Sequence, residues 1–470
     1  MTTPLQETPV EALPLTEVAE PLLEPSSALR LSRHAAGLVA DAGRIGVIWL
    51  PVYALLASHF DSLRTLVGVA ALVTGVWYLA LQAAFAGCRP TLSALGPAVA
   101  AAIGTATGFF AVSALTLWVP GVDISAGRLL VISGSVLCLS AVWEGLVHRS
   151  IAGQRRVLVI GASEGSELIE ELQLRGDNRF EVVGLVDDER ESDRVAGVPL
   201  RGTIADLPAI VESQRPDVVV LTGERRTEAF SRLLEVARAG FKVVGLADFY
   251  EHAFGRVPVR SLSATWFMSV LHLYQRPYPR FAKRAFDLVV ASFGLLVTAP
   301  LWPLVYLLVR RTPGPVIYRQ VRLGEGGKPY TMYKFRTMVA DAEAQGAVFA
   351  TACDPRVTGV GRLLRQTRID ELPQLWNVLK GDMSIVGPRP ERPEFWTMLE
   401  EAVPFWTHRN LVKPGITGWA QVSGGYAHDS SSTSHKLSYD LWYLRHRSLV
   451  IDVAICMKTF STLLSGSGAR

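Results

Sequence analysis

Residues 280–311 read RFAKRAFDLVVASFGLLVTAPLWPLVYLLVRR. Within them Leu288–Val309 is an apolar run of bilayer-spanning length, for which about 20 residues are needed. Pro300 and Pro303 interrupt the run, and a proline inside a helix removes a hydrogen bond and bends the axis. Arg280, Lys283 and Arg284 precede it, and Arg310 and Arg311 follow. Basic residues on both flanks favour a cytoplasmic location for both ends. The expectation is a re-entrant helical hairpin that breaks at Pro300 and returns to the leaflet it entered. An ordinary span with a proline kink is the alternative.

Upstream, 49% of the 470 residues are hydrophobic, a high share for a soluble chain. Four apolar stretches, about Ile45–Ser58, Leu66–Gly87, Leu92–Val119 and Leu129–Val147, predict a four-helix transmembrane bundle over residues 35–150. The first is short unless it starts nearer Ala35. Arg89, Arg149, Arg155 and Arg156 put both ends of the bundle in the cytoplasm. Residues 1–34 carry repeated Pro and Glu and read as a disordered tail. A net charge of +4 is too mild to argue for nucleic acid, and the basic residues gather beside apolar stretches, where membrane lipid attracts them. The four cysteines are far apart with no CxxC pair, which excludes a disulfide framework or a zinc site.

Residues 153–275 change character. Short apolar runs at Val157–Ile160, Val182–Val186, Val218–Leu221 and Val243–Leu246 alternate with helical patterns at Glu164–Leu174 and Glu228–Ala239, which predicts a Rossmann-like α/β domain. Its first turn, Gly161-Ala162-Ser163-Glu164-Gly165, lacks the full GxGxxG fingerprint, although Asp187 ends the second strand. A domain that has lost its cofactor fits better than a dinucleotide-binding one.

The chemistry is concentrated farther on. Residues 361–374 read GRLLRQTRIDELPQ, and Leu372, Leu375, Trp376 and Leu379 then follow helical spacing up to Gly381. Asp370 falls at the helix start, where backbone N–H groups and the helix dipole attract anions. Arg365 and Arg368 stand just upstream, and Lys334 and Arg336 are candidates to join them in the fold. A carboxylate is already ionised at neutral pH, so Asp370 needs no base to act as a nucleophile. Arginines and a divalent cation would offset its repulsion from an anionic diphosphate. Asp370 and Glu371 are candidate ligands for Mg²⁺, which suits carboxylate and phosphate oxygens. A plain N-cap with solvated arginines around it is the alternative at this point.

The runs KRAFDLVVA (283–291), GPVIYRQVRLGEGGKPYTMYKFRTM (314–338), RIDELPQLWNVLKGDMSIVGPRPERPEF (368–395) and VKPGITGWAQVSG (412–424) closely resemble the bacterial sugar transferases, the polyprenyl-phosphate phosphoglycosyl transferases with one catalytic membrane segment. The likeness covers about 281–464, and the whole chain looks like the family's long form, with a re-entrant helix and α/β catalytic domain over 280–470. It implies transfer of hexose 1-phosphate from UDP-hexose, glucose or galactose, to undecaprenyl phosphate with release of UMP. This would be the priming step of exopolysaccharide, capsule or O-antigen synthesis at the bacterial inner membrane. Asp370 matches the family's nucleophile, Glu371 its acidic partner working with Mg²⁺, and Arg365 a phosphate-binding arginine. Pro388, Arg389 and Pro390 match a segment of the nucleotide site, and Lys283, Arg284 and Asp287 the start of the re-entrant helix. The chain has Ala299 and Thr337 where serine is common in the family. A homodimer is a working expectation.

Two rivals remain at the level of sequence. A membrane-anchored nucleotide-sugar epimerase or dehydratase would need an intact glycine fingerprint and a Tyr-x-x-x-Lys pair on a helix; Tyr330 and Lys334 have that spacing in a strand-like run. A non-catalytic scaffold of polysaccharide assembly would need neither.

Overall fold

The computed structural model describes residues 27–60, 62–88, 96–118, 124–151, 154–175, 179–188, 194–223, 226–237, 240–262, 266–268, 280–344, 346, 354–423 and 430–465. The chain divides into two compact units, Met1–Ala35 with Gln154–Val244 and Ala36–Gly153 with Gly245–Arg470.

Four long helices come first: α1 (Ser27–Leu56), α2 (Leu63–Cys88), α3 (Gly96–Trp118) and α4 (Ala126–Ile151). Three are long and apolar enough to cross a membrane, over Val39–Leu56, Leu63–Gln82 and Ala126–Leu146; α3 is apolar over Ala100–Thr116. The first apolar stretch therefore starts before Ile45. The tail expected over 1–34 lies outside the described residues up to 26, and from Ser27 it is helix, as Ala28, Leu29, Arg30 and Leu31 favour.

These helices share one apolar core, with Ile48 and Val52 of α1, Val73 and Trp77 of α2, Ala100 and Val112 of α3, and Ile132 and Val136 of α4. Gly104 and Gly108, four residues apart on α3, allow its close approach to α2: a Cβ at Gly104 would stand 2.7 Å from the Leu81 Cα, and one at Gly108 would enter the Trp77 indole. A polar cluster ties three of the helices. Arg44 donates to both carboxylate oxygens of Glu144 on α4 and, at 2.7 Å, to Asp41, which also accepts from Gln82 of α2 at 2.9 Å.

The first unit builds one six-stranded sheet. Its elements are β1 (Arg155–Ile160), α5 (Ala162–Leu174), β2 (Phe180–Val186), β3 (Arg194–Val195), β4 (Val198–Gly202), α6 (Leu207–Gln214), β5 (Val218–Leu221), α7 (Arg226–Glu235) and β6 (Lys242–Gly245). The strand order is β3-β4-β2-β1-β5-β6, with β1 parallel to β2 and β5 and β2 parallel to β4. The unit ends at Val244, short of the expected 275. The next helix, α8 (Leu246–Phe254), belongs to the other unit, where its buried Glu251 accepts from Trp266 at 2.6 Å, Arg445 at 2.5 Å and His446 at 2.8 Å.

The C-terminal α/β part then runs α9 (Arg280–Thr298), α10 (Leu301–Arg310), β7 (Ile317–Leu323), β8 (Pro329–Phe335), α11 (Gly359–Gln366), α12 (Gln374–Lys380), β9 (Ser384–Val386), α13 (Pro393–Ala402), β10 (Gly415–Thr417), α14 (Trp419–Ser423), α15 (Ser430–His446) and α16 (Leu449–Ser465). Helices α9 and α10 bend by 68° at Ala299-Pro300, where the proline break was expected.

A polar collar holds the base of this bent pair. Arg284 donates to the carbonyls of Val378 and Leu379, both at 2.7 Å, closing the last turn of α12. Asp287 accepts from the Ser384 hydroxyl at 3.0 Å and the Ile385 N–H at 3.1 Å. Lys283 reaches Asp452 of α16 at 2.7 Å, and the Tyr443 hydroxyl donates to the same fully buried carboxylate at 2.7 Å. Helix α16 packs with Ile451 and Ile455 in the C-terminal core and Val450 against the core of the four long helices, while Phe460 stays exposed.

Asp452→Ala removes one buried acceptor from the Lys283 ammonium and the Tyr443 hydroxyl, which keep Asp287 at 3.3 Å and the Val386 carbonyl at 3.2 Å. Loss of a hydrogen bond to a charged group costs about 1.5–3 kcal/mol. Thermal unfolding of the purified chain in detergent is therefore expected to shift down by several degrees, and an unchanged transition would remove the collar's structural role. Gly104→Val is expected to lower the same transition by forcing α3 away from α2.

Candidate active site

The Asp370-Glu371 pair is delivered by a tight corner. Helix α11 ends at Gln366, Arg368 adopts a left-handed backbone (φ 57°), and a single 3-10 turn, Ile369–Glu371, leads through Pro373 into α12. Proline suits this position because its missing N–H has no partner in a first helical turn. Gly381 closes α12, as the sequence spacing predicts. Asp370 is neither at the helix start, where the spacing predicts it, nor a cap: Pro373 takes the N-cap position of α12, Asp370 lies in the preceding turn, and its Oδ1 is buried with no hydrogen-bond partner among the described residues. One turn on, Gln374 Nε2 is also buried without one.

Glu371 is buried among cations. Its Oε1 accepts from Lys334 Nζ at 2.9 Å and Arg389 at 3.2 Å, with Arg368 at 3.8 Å. Lys334 is brought there by β8, and Asn377 fixes the spacing: it donates to the Thr331 carbonyl at 2.7 Å and accepts from the Tyr333 N–H at 3.1 Å, tying α12 to β8. Asn377 is fully buried and escaped the sequence reading. The one signal for it was an amide among the apolar residues of a short helix. Tyr330 and Lys334 lie on this strand, not on a helix, so the epimerase-type pair has no counterpart here.

Arg365 donates from Nε to the Thr337 hydroxyl at 2.9 Å, and its positive charge acts on Asp370. Arg389 sits on a stiff loop. The Pro388 carbonyl accepts from the Gly415 N–H at 2.9 Å, the Pro390 carbonyl from Arg322 at 3.0 Å, and the Arg389 carbonyl from Arg409 at 3.0 Å. Arg409 is itself held by buried Asp440 at 2.8 Å. Arg322, Arg409 and Asp440 were not singled out from sequence, being isolated charges far from the Asp-Glu pair along the chain.

Arg336 is placed differently from the expectation. Its guanidinium donates to the carbonyls of Pro313, of Val309 at 3.1 Å and of Thr312 at 2.9 Å, which closes the end of α10. The physical reason is that β8 stops at Phe335, so Arg336 leaves the strand and turns away from the face that carries Lys334.

The two acids have divergent proton affinities. Burial lifts the Asp370 carboxyl to about 6; the Glu371 charge adds to the rise, and Lys334 opposes it. Burial also acts to raise Glu371, but Lys334, Arg389 and Arg368 outweigh it and hold that carboxyl well below the usual range. Burial lowers the Lys334 ammonium, with Glu371 opposing. At neutral pH the corner presents an ionised, unpartnered Asp370 oxygen beside fixed positive charge, the arrangement a nucleophile for an anionic phosphorus centre requires. Among the described residues no group of three or more His, Cys, Asp or Glu could hold a metal ion by itself.

A family model of bacterial sugar transferases matches residues 278–466, and one described as a CoA-binding domain matches residues 124–222. The chain is 41% identical over 239 residues to the UDP-N-acetylgalactosamine-undecaprenyl-phosphate N-acetylgalactosaminephosphotransferase of Aeromonas hydrophila, covering 51% of this chain and 56% of that protein. It is 34% identical over 322 residues to the undecaprenyl-phosphate glucose phosphotransferase of Komagataeibacter xylinus, covering 65% and 58%. The chain thus spans little more than half the length of these two relatives. An uncharacterized sugar transferase of Bacillus subtilis is matched over 90% of its length, at 42% identity over 193 residues, which is 40% of this chain. With the Asp370 corner, the arginine-bearing Pro388–Pro390 loop and the bent helix pair all inside the matched region, the chain belongs to the bacterial sugar transferase family.

Proposed function

We propose that this chain transfers hexose 1-phosphate from a UDP-hexose to undecaprenyl phosphate, releasing UMP, through a phosphosugar carried on Asp370. The observation that carries the reading is the buried, unpartnered Asp370 Oδ1 flanked by Lys334, Arg365 and Arg389. In the first step Oδ1 attacks the sugar-bearing phosphorus, the bond to the bridging oxygen breaks, and UMP leaves with that oxygen. In the second, an oxygen of undecaprenyl phosphate attacks the same phosphorus and Asp370 departs as carboxylate. Neither step needs a base, because both nucleophiles are ionised. Charge stabilisation by Lys334, Arg365 and Arg389 is the main contribution of the protein. Glu371 acts through Lys334 and Arg389, which it holds in place. Asp370 and Glu371 are the residues that would hold a magnesium ion, which would neutralise charge on the diphosphate. The names of the relatives support glucose, galactose or N-acetylgalactosamine as the sugar.

The same reading makes the four long helices a membrane bundle, the six-stranded unit a Rossmann-type domain, and α9–α10 a re-entrant hairpin under a cytoplasmic α/β domain at the inner membrane. Both ends of the bent pair are bonded to one domain, through Arg284 at the start and the carbonyls of Val309 and Thr312 at the finish, which supports a return to the leaflet of entry. The reaction would prime exopolysaccharide, capsule or O-antigen synthesis.

Asp370→Asn in the purified full chain is expected to abolish UMP release from UDP-glucose, UDP-galactose and UDP-N-acetylgalactosamine in the presence of undecaprenyl phosphate. Retained UMP release would overturn the assignment of the nucleophile.

The pH dependence follows from the sign of the shift. Asp370 must be ionised, so kcat/KM is expected to fall as pH drops through about 6, with one proton taken up. Lys334 lowers the Asp370 proton affinity, so Lys334→Met should move this limb upward by about one pH unit as well as reduce the rate. A limb that stays in place would show that Lys334 does not act on Asp370.

A further inference from the structure

The match of residues 124–222 to a CoA-binding domain implies a phosphate-bearing cofactor on the six-stranded unit. In open parallel sheets such ligands bind at the carboxyl edge, where the strand order reverses. Here that place lies between the turns after β1 and β5, the two neighbours that follow the switch from β2. A cofactor's diphosphate needs a glycine-lined turn with unspent N–H groups at the helix start.

The turn is closed. Gly161 alone connects β1 to α5, at φ 98°, and its N–H donates to the Val186 carbonyl at 2.9 Å. The first amide of α5, that of Ala162, donates to the Asp187 carboxylate. Glu164 crosses the crevice and accepts from the Gly223 N–H at 3.0 Å, on the turn after β5. Asp188 accepts from the Ile204 N–H at 2.9 Å, on the turn after β4. Gly165 serves packing, since a Cβ there would stand 2.8 Å from Val159 Cγ1. Three carboxylates therefore take amides from the turns after β1, β5 and β4 at the carboxyl edge. Asp187 and Glu164 hold two of the donors a diphosphate would use, those of Ala162 and Gly223, and bring negative charge to the crevice.

We propose that this unit supplies its own anions: Asp187 and Glu164 stand where a cofactor phosphate would, and the unit takes no coenzyme A or dinucleotide. The sequence match to a CoA-binding domain then reflects the fold and not the ligand. The inference does not rest on the transferase reading.

The test uses the full chain in nanodiscs. Equilibrium dialysis with radiolabelled coenzyme A and NAD is expected to give no saturable binding, and saturable binding of either overturns the proposal. In Asp187→Ala and Glu164→Ala, amide exchange in the peptides containing Ala162 and Gly223 should quicken by about tenfold or more, the usual weight of a hydrogen bond to a charged group. Sulfate at matched ionic strength should slow it again in the variants and leave the parent unchanged. Exchange that sulfate does not slow would show that no anion position had been vacated, and would also overturn it. Should the alanine variants fail to fold, Asp187→Asn and Glu164→Gln keep an acceptor oxygen and lose only the charge; exchange at Ala162 and Gly223 should then quicken severalfold, and unchanged exchange in both would overturn the proposal.

Discussion

Arg284 closes the end of α12, the helix into which the turn bearing Asp370 and Glu371 leads, and it does so from the base of the bent apolar pair. Much of the C-terminal part depends on this contact. The last carbonyls of a helix need donors, and here Arg284 of α9 provides them, so the corner that holds the acids has a fixed place relative to the bent apolar pair. Asp287 does the equivalent for β9 through Ser384 and Ile385, and Lys283 extends the collar to Asp452. Three polar residues within five positions of one apolar helix are satisfied by backbone and buried charge of the α/β part.

A second constraint acts within the corner. Two adjacent buried carboxylates repel each other, and the chain resolves this by unequal surroundings. Glu371 receives Lys334 and Arg389 and remains ionised, while Asp370 keeps an oxygen without a hydrogen-bond partner and holds its proton more readily. Divergent environments for paired titratable groups commonly mark different chemical roles. Here they separate a carboxylate that keeps an unpartnered oxygen from one that gathers the cations around it.

Much of this was legible in sequence for identifiable reasons. The break at Pro300 follows from the ring and the basic flanks, and the strands at Val157–Ile160 and Val218–Leu221 from unbroken apolar runs between helical patterns. Other features were hidden. Strand β4 contains Pro199 and Arg201, and α6 is only eight residues long, so neither has a clear period. Residues from Gly245 onward resemble the preceding strands and helices locally, but buried Glu251 commits α8 to the C-terminal core. Lys334 and Arg336 look equivalent two positions apart, until the strand ends between them.

The sequence by itself determined the chemistry-bearing parts: the apolar lengths, the proline break, the Asp370-Glu371 pair and the arginines near it. These depend on local composition and spacing, which one dimension carries in full. Only the tertiary structure decided which cation serves which acid, because Lys334, Glu371 and Arg389 belong to three different elements whose approach is set by Asn377 and the loop around Pro388. It also decided that Asp187 and Glu164 fill the crevice a cofactor would need, since the amides they take lie on neighbouring strands far apart in the chain.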